Sequence, residues 1–274
     1  MPLSLPFLSR PPFVPVLRLS GVIAAGRGVL SGPGLSDAGL APLIERAFRR
    51  GKPAAVALVI NSPGGSAVQS SLIAARIRRL ADEKKVPVHA FVEDVAASGG
   101  YWLACAGDDI WVDDSSIVGS IGVIFAGFGF PEFMKRQGIE RRVVTAGRSK
   151  SLADPFQPEK PEDVERLQAL QAPIHAAFIE HVKARRGTRL DATADLFNAD
   201  VWVGRQAVDL GLADGIAHPV PKLRALYGEK VRLLPLGQRR SLWQRFGAAG
   251  LAQSAVAGAV EAAGDRALWA RYGL

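Results

Sequence analysis

The chain has 274 residues, 48% hydrophobic and 22% charged, enough for one large α/β domain or a domain with a helical extension. A single cysteine, Cys105, excludes a disulfide framework and a cysteine-based metal site, and it falls in an apolar helix pattern that reads as a buried, inert thiol. The formal charge of +8 comes from scattered Arg and Lys residues with no interleaved aromatics, which argues against a nucleic-acid partner.

The first sixteen residues are apolar but broken by Pro2, Pro6, Pro11, Pro12 and Pro15, and they lack the charged n-region and clean h-region of a signal peptide. No stretch reaches the roughly 18 uninterrupted apolar residues of a spanning helix. The expectation is a soluble or surface-associated, cytoplasmic chain. It divides into a proline-rich arm at 1–15, a main domain at 16–235 and a helical C-terminal extension at 236–274.

Residues 16–25 alternate well enough for a first strand, and 26–34 form a glycine-spaced loop. Ser36 and Asp37 open a helix with Leu40, Leu43, Ile44 and Phe48 on one face. The continuous apolar run 54–60 predicts a parallel strand buried on both faces. It ends in Asn61-Ser62-Pro63-Gly64-Gly65, and Leu72, Ile73, Ile77 and Leu80 then recur at helical spacing. A strand at 88–91 and a small-residue helix at 99–106 repeat the unit, followed by strands at 110–112 and 118–125, a short helix around Phe133 and a strand at 142–145.

A long helix opens at Pro161, with Glu162 and Asp163 favouring its dipole. Its stripe of Val164, Leu167, Leu170, Ile174, Phe178 and Val182 predicts one buried face, and Pro173 predicts a kink. Residues 201–217 give a strand, a small helix and a turn, and an Ala-rich tail follows from Ser241.

Two turns carry the chemistry. Ser98 stands between the 88–91 strand and the 99–106 helix, in Ala-Ala-Ser-Gly-Gly. Serine at such a turn commonly caps the helix, yet a hydroxyl there is also held at the exposed end of a sheet beside helix N-terminal amides, as a nucleophile requires. The Pro-Gly-Gly loop lets backbone N–H groups approach a ligand and can form one wall of an oxyanion hole. If the two strands are adjacent and parallel, both turns share one sheet edge.

A serine nucleophile needs a base. His89 lies within the preceding strand, His175 and His181 sit among surface-type neighbours on the long helix, and His218 precedes Pro219 in a turn, so all four read as structural or solvated. A lysine is the simpler base. Asp94, Asp108, Asp109, Asp113 and Asp114 read as solvated turn residues and not as a metal cluster.

In INSPGGS (60–66), DVAASGGYW (94–102), GSIGV (119–123) and GRSKS (147–151) the chain resembles the SppA-type signal peptide peptidases, serine/lysine proteases that share their fold with the ClpP and crotonase superfamily. The resemblance covers about residues 14–220. It implies an α/β architecture, a ClpP/crotonase-like repeated ββα spiral with parallel sheets and a helical C-terminal tail, in which 16–235 is the peptidase domain. It also implies Ser98 as nucleophile, Lys150 as general base and a Ser120 hydroxyl orienting the lysine. Gly64 and Gly65 would form the substrate-binding loop, with oxyanion donors from the N–H groups of Gly65 and Gly99. Arg148-Ser149 stand where many relatives place an aromatic before the lysine, a departure that would alter a pocket wall more than the base.

The expected reaction is hydrolysis of extended apolar peptides, such as signal-peptide remnants, through an acyl-enzyme on Ser98. It needs no metal or other cofactor. A homo-oligomeric ring or dome is implied, with Lys150 acting in cis or on a neighbour and the long helix and tail as contact candidates. The tail, with Arg239, Arg240 and Arg245, could instead lie on an anionic membrane, giving a peripheral association with the inner membrane. Two rival readings stand beside this one. Gly204, Ala207 and Gly211-Leu212-Ala213-Asp214 also suit a crotonase-type acyl-CoA enzyme, and a catalytically silent, peptide-binding or membrane-organising scaffold would use the same fold.

Overall fold

The central strands come from the most apolar stretches of the chain, Val56–Ser62 (β2) and Val88–Ala97 (β3), which pair in parallel and are buried on both faces over most of their length. The computed structural model describes residues 11–25, 34–49, 51–147, 150–237 and 263–274. Most of the proline-rich arm, the expected glycine loop at 26–34 apart from Gly34, and most of the C-terminal extension lie outside the described residues.

In chain order the elements are β1 (Phe13–Ser20), α1 (Asp37–Arg49), β2, α2 (Ala67–Lys84), β3, α3 (Gly99–Ala104), β4 (Asp109–Val112) and β5 (Ile117–Gly119). There follow α4 (Pro131–Arg136), α5 (Pro161–Arg186), β6 (Val201–Val203), α6 (Gly204–Asp209), β7 (Gly215–Ile216), α7 (Pro219–Tyr227) and β8 (Arg232–Leu236). One sheet runs in the order β6-β5-β3-β2-β1-β8, with β4 pairing β3 and β7. Every pairing is parallel except β5 with β6. This is the expected α/β architecture, and residues 263–270 of the tail are helical.

Leu40, Ile44 and Phe48 of α1 and Ile73, Ile77 and Leu80 of α2 bury against Leu17, Leu19, Leu58 and Ile60 on one face of the sheet. On the other face Leu223 of α7 closes a smaller cluster with Val14, Ala57 and Phe91. The α2 ends are well fixed: Ser66 Oγ accepts from Gln69 N–H, and Lys85 takes the left-handed conformation after the last turn.

Four expectations need correction. β1 begins at Phe13, not Val16, and includes Pro15, which is tolerated because pairing with β2 starts only at Val16. The strand expected at 118–125 ends at Gly119, since Gly119 and Ser120 both have positive φ and turn the chain out of the sheet. The expected strand at 142–145 is irregular and exposed; no edge among the described residues pairs with it, and strand propensity alone does not make a strand. The α5 stripe buries only at its C-terminal end, through Phe178 and Val182, while Leu170 and Ile174 stay exposed. Pro173 lies inside α5, which continues as one helix from Pro161 to Arg186.

Candidate active site

The parallel β2–β3 pairing puts the Ser62-Pro63-Gly64-Gly65 turn and Ser98 at the same end of the sheet, with Ser62 in register with Ala96. Just before this point Ile60 pairs with Val92, so β3 carries a bulge at Glu93 and Asp94 that turns both side chains outward. Arg18 bonds Glu93 at 2.6 Å, and Asn61 donates to the Asp94 carboxylate.

Ser98 sits on the expected strand-to-helix turn with φ 51° and ψ −122°, a conformation that favours glycine. Its side chain makes no capping hydrogen bond, so helix capping does not account for it. Three backbone bonds hold the turn: Ser98 N–H donates to Gly119 O at 2.8 Å, and Ser98 O accepts from the N–H groups of Tyr101 and Trp102. Because that carbonyl is directed along α3, the N–H of Gly99 in the same planar peptide points back out of the helix start.

The glycine loop stands directly against this turn. A Cβ on Gly64 would fall 2.8 Å from the Ser98 Cβ and 2.9 Å from Gly99 N. Gly64 O accepts from Ile23 N–H, and Ile23 O accepts from Ser66 N–H, both at 2.8 Å. Peptide planarity therefore turns the Gly65 N–H away from Ile23, outside those pairings. Gly65 is exposed and Ser98 half-buried.

Ser120 follows the Gly119 carbonyl that Ser98 uses, and it too has a positive φ of 51°. Its N–H donates to Asp200 O at 2.6 Å, and Trp202 and Ala199 press on Gly119 and Gly122, where any Cβ would collide with them. The clamp formed by 199–202 is absent from the sequence expectations, although the glycine spacing of Gly119-Ser120-Ile121-Gly122 signals a close approach of backbones.

Ser98, Ser120, Gly64, Gly65 and Gly99 thus gather at one end of the sheet. Lys150 lies on an exposed turn after Gly147, whose carbonyl accepts its N–H at 3.3 Å, and no hydrogen bond joins its ammonium to Ser98 or Ser120 in the single chain. Between that turn and α5 opens a pocket of about 910 Å³ lined in part by Phe125, Phe128, Phe130, Ser151 and Leu167.

The histidines have structural partners. His89 is buried between the Asp109 carboxylate, at 2.8 Å, and the Tyr227 hydroxyl, at 2.7 Å. His175 bonds Ile121 O at 2.9 Å. His181 is half-buried: it stacks on Trp102, 5.0 Å between ring centroids, and burial pushes it below the ordinary imidazole value. Among the aspartates expected to be solvated, Asp108 instead accepts from Val88 N–H and pairs with Arg78 and Arg185, and Asp109 holds His89. Cys105 is buried and its thiol pushed up to about 12, an inert group as expected.

The profile of Peptidase family S49 matches residues 80–219, which include Ser98, Ser120 and Lys150. The chain belongs to peptidase family S49. Within it the chain is SppA-like: it is 32% identical over 207 residues to the chloroplastic serine protease SPPA of Arabidopsis thaliana, covering 74% of this chain and 30% of that one. It is 52% identical over 272 residues to a Brucella melitensis protein named Na(+)/H(+) antiporter NhaA, covering 95% of this chain and 37% of that protein. This S49 chain thus spans only about a third of the length of these two relatives. Its fold is also that of the 1510-N membrane-bound stomatin-specific protease, solved as a lysine-to-alanine mutant in complex with a substrate peptide. The TM-score is 0.52 at 17% identity, covering 86% of this chain and 95% of the other.

Proposed function

We propose that this S49 chain is a serine endopeptidase with a Ser98/Lys150 dyad that hydrolyses extended apolar peptides, such as remnants of cleaved signal peptides. The observation that carries the reading is Ser98 itself. Its hydroxyl caps no helix, it is held at φ 51°, and it faces a glycine loop whose Gly65 N–H is free of the Ile23 pairing. Keeping an L-residue in such a conformation costs on the order of 1–3 kcal/mol, and strain of this kind clusters at active sites, which supports a reactive role for Ser98.

Ser98 Oγ attacks the scissile carbonyl while Lys150 takes its proton, and the N–H groups of Gly65 and Gly99 bind the oxyanion. Lys150 then protonates the leaving amine, and water hydrolyses the acyl-enzyme. Ser120 supplies a hydroxyl that orients Lys150. Because Lys150 is exposed in a single chain, the dyad requires its turn to close over Ser98 or a second copy to seat it. The unburied half of α5 and the exposed Phe125, Phe128 and Phe133 suit contacts between copies in a ring or dome. The antiporter name of the Brucella relative belongs to a chain of which this one spans 37%, and the S49 match lies within the shared portion.

The exposure of Lys150 favours a second reading, a peptide-binding scaffold without turnover. Cleavage of a fluorogenic apolar peptide by the wild type, Ser98→Ala and Lys150→Ala separates the two. The peptidase reading expects turnover that both substitutions abolish; a folded wild type without turnover favours the scaffold. Thioester hydrolysis that survives Ser98→Ala would instead favour an acyl-CoA enzyme, although Asp214 of that motif is tied to Arg186 at 2.6 Å.

A further inference from the structure

Two serines outside the proposed dyad are fully buried beneath the candidate oxyanion donors. Ser62 Oγ donates to Gly21 O at 2.7 Å and accepts the Gly64 N–H at 3.2 Å. It ties the start of the glycine loop to the end of β1, where Gly21 N–H in turn donates to Asn61 O at 2.9 Å. Ser70, on the first turns of α2, donates to Ser66 O at 2.9 Å, and a Cβ on Gly99 would run into its Oγ.

Each hydroxyl therefore constrains one donor peptide. With Gly64 N–H held by Ser62 and Gly64 O held by Ile23, both ends of the Gly64 residue are fixed, and the orientation of the Gly65 N–H follows. Ser70 closes the far side of the loop at Ser66 and also backs Gly99, so it sets the spacing between the two donors.

We infer that Ser62 and Ser70 are positioning residues for the oxyanion hole, acting through the Gly64-Gly65 peptide and Gly99. This inference rests on the Ser98 peptidase reading. Without the Ser62 hydroxyl, the Gly64 N–H is left buried and unpartnered and the loop relaxes to satisfy it. The donors then miss the oxyanion, and a misplacement of about 1 Å costs up to about a hundred-fold in rate.

The test compares wild type and Ser62→Ala with a fluorogenic apolar peptide, each rate divided by the fraction of Ser98 that a fluorophosphonate labels at completion. The expected result is a kcat about ten- to a hundred-fold lower with KM changed by no more than about two-fold. Affinity for a peptide boronate, which forms a tetrahedral adduct, should fall by the same factor as kcat/KM. A loss carried in KM, or in the labelled fraction alone, overturns the inference. If Ser62→Ala does not fold, the isosteric pair Ser62→Thr and Ser62→Val carries the same comparison, with Thr expected to retain the activity that Val loses. Ser70→Ala should show a smaller fall of the same kind. A wild type that neither cleaves nor labels refutes the peptidase reading; a wild type that cleaves, with Ser62→Ala equal to it, refutes the positioning role alone.

Discussion

Gly64 stands so close to Ser98 that any side chain on it would occupy the space of the serine: an added Cβ would be 2.8 Å from the Ser98 Cβ and 2.8 Å from Ala97 O. Gly64 also has φ +102°, which L-residues rarely adopt. Gly64→Ala should therefore lose more than about a hundred-fold in kcat/KM and lower the unfolding midpoint. Peptide hydrolysis and a thermal melt followed by circular dichroism check both. An active Gly64→Ala of normal stability would mean that the loop and Ser98 lie farther apart.

The strain at Ser98 can be measured in inactive variants. Ser98→Gly should be more stable than Ser98→Ala by about 1–2 kcal/mol, because only glycine adopts φ 51°, ψ −122° without steric cost. Chemical denaturation of the two proteins reads the difference. Equal stabilities would indicate a relaxed turn.

Periodicity revealed much of this architecture because the core elements are buried on predictable faces. The run at 54–60 and the α2 spacing around Ile73 and Ile77 became a parallel strand and a packed helix at nearly the expected places. Where burial comes from distant parts of the chain, the local pattern misleads. Val143 and Val144 look like strand residues but pair with no edge among the described residues, and Leu170 and Ile174 continue a helical stripe past the point where the core ends. The candidate site shows the same division. The Gly64-Gly65 and Ser98 turns were legible as motifs, but the strain at Ser98, the clamp of 199–202 on Gly119, and the support from Ser62 and Ser70 depend on contacts between separated segments. The place of Lys150 relative to Ser98 is likewise a long-range property, which no spacing in the chain encodes.

Asp214 and Arg186 form a buried pair beneath α3, at 2.6 Å, and Arg186 also donates twice to Gly211 O. Burial pushes the Asp214 carboxyl up, but the bond and charge of Arg186 and the Ile110 N–H outweigh it and leave the group below the usual carboxylate value. The folded state then binds fewer protons than the unfolded state at acid pH. The stability that Asp214 contributes is present above about pH 4 and lost as pH falls through its lowered folded value. Urea unfolding between pH 2 and 7 should show this acid limb, flattened in Asp214→Asn. Arg186→Met at pH 7 leaves Asp214 with only the Ile110 N–H and the more exposed Arg189, at 3.2 Å, and should cost about 1–3 kcal/mol.

His181 makes a second contribution to pH dependence, close to α3. Burial lowers it, against the favourable effect of the Trp102 carbonyl, and nearby Arg185 pushes the same way as burial. Here too the unfolded chain takes up the proton first, so stability declines as pH falls from about 6.5 through the lowered folded value. His181→Phe keeps a ring against Trp102 and should show a smaller decline over that range in the same urea series. An unchanged decline would place the titration elsewhere.

The most direct measurement is the rate and position of fluorophosphonate labelling, read by intact mass and peptide mapping, in wild type, Ser98→Ala and Lys150→Ala. A Ser98/Lys150 peptidase gives one adduct on Ser98 in the wild type, none in Ser98→Ala, and labelling slowed by about a hundred-fold or more in Lys150→Ala. An adduct on another residue, or equally fast labelling of wild type and Lys150→Ala, would contradict the dyad.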